Sequence, residues 1–248
     1  MEPERDQSLR VAAVQFEGTV GRVDVNGARL ERMIIEAAEN GARMIAVPEF
    51  CTSPLPFKPE VHDTVLPPDN ALVGMFTRLA TRYQCHLGGS MLIADQHTFG
   101  RPDIYNRHHL VEPNGQIHTH DKDLPTMWEN CFYRGGKHED DGAFDTELGG
   151  VGVASCWELI RNRTVHRLRG RVDVAMTGTH WWTLPDNWGR LVDRMFGPLR
   201  QYNRFLSEGA PAEFARRLGA PTGISRMSAG GRTTPAAGVL PPCARKKM

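Results

Sequence analysis

The chain carries a carboxylate, an ammonium group and a thiol, each placed just after a short segment with the pattern of a strand. These residues are Glu49, Lys122 and Cys156. Small and β-branched residues among glycines, as in Gly149–Ala154 before the cysteine, predict a buried strand. Taken singly, the two charges are typical of a solvated surface and the thiol of a core. Open α/β sheets build their sites at the carboxyl ends of strands, so the three groups can meet in one pocket.

Together these groups suit acyl transfer to a cysteine. The thiolate is the nucleophile, and a nearby carboxylate can take the thiol proton and return it to a leaving amine. Lys122 can stabilise negative charge on the substrate, helped by the backbone N–H of Trp157. Because charges of mixed sign share a pocket only when they pair, we expect the pKa values of Glu49, Lys122 and Cys156 to be mutually shifted.

The pattern around these residues predicts alternating strands and helices. A strand over Leu9–Phe16, a helix that starts at Asn26 and a strand over 43–47 indicate a parallel pair with a crossover helix. Glu112–Gly115 has the composition of a hairpin turn between two antiparallel strands, the second of which ends near Lys122.

Four segments together resemble the carbon–nitrogen hydrolase (nitrilase) superfamily in their order and spacing. They are Val11–Gln15, Val47–Phe50, the hairpin end His120–Leu124, and Ser155–Glu158. The resemblance implies an α/β fold, the α-β-β-α sandwich of the nitrilase type, commonly paired into a homodimer or a larger homo-oligomer. It implies that Glu49 is the general base, Lys122 the electrostatic partner of the transition state and Cys156 the nucleophile. Glu129, in the loop after the lysine, is implied to orient the lysine and the substrate. No metal and no organic cofactor are expected.

The expected function is cysteine-dependent hydrolysis of non-peptide carbon–nitrogen bonds through a covalent acyl-thioester. Small linear amides are the preferred substrate class, with nitriles and N-carbamoyl compounds as alternatives. Two further alternatives stay open: a catalytically impaired scaffold or binding protein of the same fold, and an acyltransferase that uses the same triad.

Several histidines and tryptophans are further candidates. His180 and Trp181 follow a predicted strand over 172–177, so they either line the substrate pocket or form a buried aromatic plug. His108–His109 and the pair His118 and His120 alternate in a way that can bind a metal. Because no matching carboxylate or cysteine spacing accompanies them, we interpret these histidines as surface residues of the hairpin.

Composition excludes several classes of protein. The formal net charge of +1 gives no reason to expect a nucleic-acid or anionic-membrane partner. No apolar run approaches the roughly 18 residues of a membrane span, and the charged N-terminus lacks the apolar stretch of a secretory signal. The five cysteines contain no Cys-x-x-Cys pair, which favours reduced thiols and a cytoplasmic location.

The C-terminal part departs from the pattern of the rest. We predict one carbon–nitrogen hydrolase domain over residues 1–219 and an irregular or atypical tail over 220–248. From Thr222 onward the sequence is rich in Gly, Pro, Thr, Ser and Arg, with only isolated apolar residues. The sandwich is therefore expected to be incomplete at its C-terminal edge.

Overall fold

Two β-sheets packed face to face form the centre of the molecule. The computed structural model describes residues 8–55, 59–98, 100–136, 141–181, 190–228 and 236–240. Within these ranges one sheet has six strands and the other has five.

The first sheet has the strand order β11-β1-β3-β4-β5-β6. Its strands are β1 (Leu9–Ala13), β3 (Met44–Ala46), β4 (His86–Thr98), β5 (Arg101–Val111), β6 (Ile117–Asp121) and β11 (Ala236–Leu240). β3 is parallel to β1 and β4, while β4, β5 and β6 form an antiparallel meander. The predicted hairpin between β5 and β6 is confirmed, with Gly115 in the left-handed region at a φ of 88°. β3 and β6 therefore run in the same direction, and their carboxyl ends meet at the same edge.

The second sheet has the order β2-β10-β9-β8-β7. Its strands are β2 (Gln15–Glu17), β7 (Ala143–Thr146), β8 (Gly149–Ser155), β9 (Val174–Thr179) and β10 (Thr222–Ser228). β8, β9, β10 and β2 are mutually parallel, and β7 is antiparallel to β8.

Helices cover the outer face of each sheet. The helices are α1 (Val23–Glu39), α2 (Ala71–Tyr83), α3 (Asn162–Leu168) and α4 (Arg190–Leu218). α1 and α2 share a core cluster with the first sheet, and α3 and α4 share one with the second. A third cluster fills the space between the sheets, where Leu110 of β5 meets Val153 of β8 and Met176 of β9. This layering confirms the expected α-β-β-α sandwich.

Two segments of the expected C-terminal tail are strands. β10 lies between β2 and β9, and β11 pairs with β1 in antiparallel register. The expectation of irregular structure from residue 220 onward is therefore wrong for these two segments. Strand preference depends on neighbours more than on the residue itself, and both segments pair with strands that the rest of the chain supplies. Residues 241–248, where the sequence is basic, lie outside the described part of the chain.

The first strand of the chain also differs from expectation. The single strand expected over Leu9–Phe16 divides at Val14, so that β1 joins the first sheet and β2 the second. α4 runs through Pro198 and Pro211 without ending at either. Among the described helices, none combines the length and apolarity that a bilayer crossing requires.

Candidate active site

Strand ends from both sheets converge on one buried cluster. Glu49 follows β3, Lys122 follows β6, and Cys156 follows β8. All three are buried, with exposed fractions of 0%, 0% and 3%. The structure therefore brings together three residues that are distant in the sequence and that the sequence analysis proposed to act as one unit.

Glu49 binds its neighbours through both carboxylate oxygens. Its Oε1 accepts hydrogen bonds from Lys122 Nζ and Asn106 Nδ2, each at 2.9 Å, and its Oε2 accepts from the backbone N–H of His180 at 2.9 Å. The Cys156 thiol lies close enough to this carboxylate for Glu49 to raise the pKa of the thiol. One buried carboxylate thus bonds the cation and lies beside the thiol.

Glu129 holds Lys122 from the other side. Lys122 Nζ donates to Glu129 Oε2 at 2.9 Å, and the same oxygen accepts from Tyr133 Oη at 2.5 Å and from the backbone N–H of Thr126 at 2.6 Å. The Lys122 ammonium also lies about 6 Å from the ring centroids of Phe50 and Tyr133. Two carboxylates and two aromatic rings therefore fix the ammonium group in place.

Two residues of the cluster have strained backbones. Phe50 and Cys156 have φ values of 52° and 51°, in the left-handed region that non-glycine residues seldom adopt. Cys156 stands at the junction between β8 and a 3₁₀-helix over Cys156–Ile160. Strain of this kind persists only where the surroundings enforce it, and it concentrates at functional sites.

Burial and the neighbouring charges shift the pKa values of all three groups. Burial raises the pKa of Cys156, and the negative charge of Glu49 raises it further, while Lys122 opposes the change. Burial also raises the pKa of Glu49 despite the attraction of Lys122. For Lys122, burial opposes the charge, but the carboxylate of Glu49 and its other neighbours raise its pKa well above the usual value. These shifts favour a protonated thiol at Cys156 and a charged ammonium at Lys122.

The other predicted binding residues lie around this cluster. His180 is buried against the Phe50 ring, and burial lowers its pKa to about 4, so the ring is neutral at pH 7. The rings of Trp157 and Trp181 lie 6.0 Å apart, and Trp181 Nε1 donates to Asn203 of α4. Trp182, which follows them, lies outside the described residues. Contact with substrate stays a prediction for all of these side chains.

A family model for carbon–nitrogen hydrolases matches residues 10–188 of the sequence. The chain belongs to the carbon–nitrogen hydrolase family. Nitrilase 3 of Arabidopsis thaliana is 25% identical over 171 residues, which cover 61% of this chain and 48% of the relative. Citrullinase of Francisella tularensis is 26% identical over 162 residues, which cover 61% of this chain and 54% of that protein. The matched part of the chain thus spans about half the length of these curated relatives.

Solved structures share the fold of this chain. Saccharomyces cerevisiae Nit3, a member of branch 10 of the nitrilase superfamily, superimposes with a TM-score of 0.72 at 18% identity. That match covers 96% of this chain and 84% of Nit3. A mutant of the Nesterenkonia AN1 amidase gives a TM-score of 0.64 at 14% identity, covering 97% of this chain and 85% of that one. At such identities the likeness concerns the fold alone.

Sequence reasoning missed two residues that shape this site. Asn106 was not singled out, yet it is buried in β5 and donates to Glu49. Tyr133, whose hydroxyl binds Glu129, was not singled out. Asparagine is depleted in strands, so its presence inside β5 was the available signal. Tyr133 lies in a loop and gave no such signal.

Three of the four hairpin histidines are not surface residues. His108, His109 and His120 have exposed fractions of 1%, 3% and 1%, whereas His118 is partly exposed. Ligand atoms of His120, Asp123 and Glu158 lie within 4.8 Å of one another, as in a metal site. Arg167 donates to both of these carboxylates, at 2.6 and 3.2 Å, so a guanidinium already supplies the positive charge.

Proposed function

We propose that this chain is a cysteine-dependent hydrolase of non-peptide carbon–nitrogen bonds, with small linear amides as its main substrates. One observation carries the proposal: the buried carboxylate of Glu49 bonds the Lys122 ammonium at 2.9 Å and lies beside the Cys156 thiol, whose pKa it raises. A base, a nucleophile and a fixed cation are the groups that amide cleavage through a thioester needs.

Acylation begins when the Cys156 sulfur attacks the amide carbonyl carbon and Glu49 takes the thiol proton. The carbonyl oxygen becomes an oxyanion, which Lys122 and the backbone N–H of Trp157 stabilise. When this tetrahedral intermediate collapses, the carbon–nitrogen bond breaks and Glu49 returns the proton to the leaving nitrogen. The products of this half-reaction are an acyl-thioester on Cys156 and ammonia.

Deacylation reverses the roles with water as the nucleophile. Glu49 removes a proton from the water that attacks the thioester, and Lys122 again stabilises the oxyanion. The carbon–sulfur bond then breaks, a carboxylic acid leaves, and the proton on Glu49 returns to the sulfur. Glu129 acts throughout by holding the Lys122 ammonium in position, which its short contact to that group supports.

The substrate class is the finer part of the proposal. The relatives and structural neighbours carry the names nitrilase, citrullinase and amidase, so nitriles and N-carbamoyl compounds are the competing classes. A nitrile would form a thioimidate in place of the tetrahedral amide adduct. A panel with one short acyl group presented as amide, nitrile and N-carbamoyl amine separates the three.

The test is ammonia release from this panel by the wild-type protein, by Cys156→Ala and by Cys131→Ala. Cys131 is an exposed free cysteine, so its variant is the matched control. We expect Cys156→Ala to lose at least about 10³-fold in kcat/KM and Cys131→Ala to retain the wild-type rate. Mass spectrometry of the protein mixed with substrate should find the acyl mass on Cys156. Equal rates for wild type and Cys156→Ala would reject the nucleophile.

Acyl transfer is the remaining alternative for the same residues. Adding hydroxylamine to the amide reaction distinguishes it, because an acyltransferase would form the hydroxamate in preference to the acid. The inert-scaffold alternative rested on an irregular C-terminal segment, and it loses that motivation because residues 222–228 and 236–240 form strands.

The proposal includes a homodimer or larger homo-oligomer. Its support is an apolar face of α4 on which Met195, Leu199, Tyr202 and Phe205 are each more than half exposed. Apolar area of this kind on one helix marks an association surface. Light scattering should give a mass of at least two chains, and Phe205→Glu should lower it. A monomer at micromolar concentration would refute this part.

A further inference from the structure

The carboxylate of Glu158 ties together two strand ends that carry proposed catalytic residues. Glu158 is fully buried. Its Oε2 accepts a hydrogen bond from the backbone N–H of Ser155 at 2.7 Å, and its Oε1 accepts from the backbone N–H of Asp123 at 3.0 Å. Ser155 directly precedes Cys156, and Asp123 directly follows Lys122. A single side chain thus bonds the backbone next to the thiol and the backbone next to the cation.

The surroundings keep this carboxylate ionised. Burial alone would raise the pKa of Glu158, but His120, Arg167 and the backbone donors outweigh it, and the pKa lies well below its usual value. Arg167 also bonds Asp123 at 2.6 Å, which locks the loop after β6 a second time. An ionised carboxylate has acceptor oxygens on both sides, whereas an amide offers an acceptor on one side only.

We infer that Glu158 is a positioning residue that sets the separation and orientation of Lys122 and Cys156. It does this by accepting hydrogen bonds from the backbone N–H of Asp123, which follows Lys122, and of Ser155, which precedes Cys156. The inference rests on the proposed function, because it assigns Glu158 a role only through those two residues. The 2.7 Å bond to Ser155 N–H also holds the chain where Cys156 turns into its left-handed conformation.

The substitution Glu158→Gln tests this with little change of shape. The amide must turn its NH₂ group toward one of the two backbone donors, so one of the two strand ends is released. We expect kcat to fall about 10–100-fold, since a misplacement of about 1 Å costs that much, while KM stays within about threefold. Circular dichroism first shows that Glu158→Gln, the control variant described below and the wild type are all folded.

Glu112→Gln is the matched control. Glu112 is also a buried carboxylate with a histidine partner, His118 at 2.7 Å, and it accepts the backbone N–H of Glu147 at 3.4 Å. It lies at the β5–β6 turn and contacts none of Glu49, Lys122 and Cys156 through any recorded bond. We expect this variant to keep kcat within about threefold. Wild-type kcat in folded Glu158→Gln, or an equal loss in Glu112→Gln, would overturn the inference.

Alkylation of Cys156 by iodoacetamide provides a readout that needs no turnover. In a Cys131→Ala background, peptide mass spectrometry follows Cys156 in wild type and in Glu158→Gln. Misalignment of the thiol with Glu49 should slow its alkylation about tenfold, whereas mere loosening of the fold would expose the thiol and speed it. Unchanged or faster alkylation counts against a positioning role.

The two readouts separate this inference from the proposed function. If wild type and Cys156→Ala release ammonia equally, the proposed function fails, and slowed alkylation in Glu158→Gln still supports the positioning of the thiol. If Glu158→Gln does not fold, Glu158→Asp replaces it. The aspartate keeps the negative charge, but its side chain is one methylene shorter, so the carboxylate oxygens lie farther from the two backbone donors. That variant should lose kcat about tenfold, and wild-type kcat in it would refute the inference.

Discussion

The thiol of Cys156 is held in its protonated form, which sets how the proposed nucleophile can be generated. Burial and the negative charge of Glu49 both raise its pKa, and the single ammonium of Lys122 faces two carboxylates, Glu49 and Glu129. A stored thiolate would add a third negative charge to this buried group. The proton must therefore move to Glu49 as the sulfur attacks, which makes the base indispensable to the chemistry.

Replacing Glu49 by glutamine tests that requirement. The amide keeps the shape of the side chain but cannot take the thiol proton, so we expect kcat for amide hydrolysis to fall about 10²–10⁴-fold. Ammonia release under saturating substrate measures it. Glu60→Gln, at an exposed position in a 3₁₀-helix, is the control and should match wild type. A Glu49→Gln rate within threefold of wild type would contradict the assignment of the base.

Replacing Lys122 by methionine should destabilise the fold as well as the reaction. The carboxylates of Glu49 and Glu129 would then remain buried without a cation, at a cost of about 3–5 kcal/mol in the free energy of unfolding. Without the ammonium, the pKa values of the two carboxyl groups in the folded variant rise above their values in the unfolded chain. The folded variant then binds more protons than the unfolded chain as the pH falls, which stabilises it. Its loss in free energy of unfolding relative to wild type should therefore be larger at pH 8 than at pH 6, as measured by urea unfolding.

The control for this variant is Arg78→Met. Arg78 forms an exposed ion pair with Glu31, and exposed pairs contribute less than about 1 kcal/mol. A deficit for Lys122→Met that is no larger than the control, or that does not depend on pH, would show that the buried charges do not depend on the lysine.

At the scale of elements, the site depends on a close approach between the two sheets. The segment that follows β3, which carries Glu49, lies directly against the backbone of β9. Gly178 of β9 is paired in register with Ser155 of β8. A Cβ at Gly178 would lie 2.6 Å from the backbone nitrogen of Glu49 and 3.0 Å from the carbonyl oxygen of Val47. Backbone cannot move aside as a flexible side chain can, so only glycine allows this approach.

Gly178→Ala should therefore push the Glu49 strand end away from Cys156. We expect a stability loss of about 1–3 kcal/mol from overpacking, together with a lower kcat in the protein that remains folded. Gly223→Ala in neighbouring β10 is the control, because its Cβ would meet its nearest neighbour at 3.9 Å. Thermal unfolding and ammonia release measure the pair of variants. Similar behaviour of the two would mean that the close approach is not needed.

Tertiary packing also decides the structure of two C-terminal elements, α4 and β10. Pro198 and Pro211 both lie inside α4. Around Pro211, the side chains of Ala210, Phe214 and Leu218 bury against the second sheet, which offsets the backbone hydrogen bond that this proline removes. Local preference set the elements with strong periodicity, such as α2 and the β5–β6 hairpin. Tertiary contacts set α4 and β10.

At the scale of the whole molecule, the space between the layers buries neutral histidines. Burial lowers the pKa of His108 to about 3 and of His109 and His180 to about 4. In the unfolded chain these side chains titrate near 6.5. Between these pKa values the unfolded state binds more protons than the folded state. The contribution of the three histidines to the free energy of unfolding is therefore fully present above about pH 6.5 and is lost as the pH falls.

The free energy of unfolding should accordingly fall steeply between pH 6.5 and pH 5. Each of the three histidines contributes up to about 1.4 kcal/mol per pH unit in this window. His108→Asn should reduce the slope by about that amount, while the exposed His62→Asn should leave it unchanged. Urea unfolding at several pH values measures the slopes. A flat profile, or equal slopes for all three proteins, would contradict the burial of a neutral His108.

The sequence by itself determined the kinds of chemical group and the strand ends that carry them. Glu49, Lys122 and Cys156 were identifiable because local patterns predict strands, and strand ends are where α/β proteins place their sites. Only the tertiary structure decided which groups touch. The bonds from Asn106 to Glu49 and from Asp123 to Glu158, and the close approach of Gly178 to Glu49, all join residues that are distant in the sequence. Such contacts depend on how two sheets pack, and no local pattern in the chain encodes that distance.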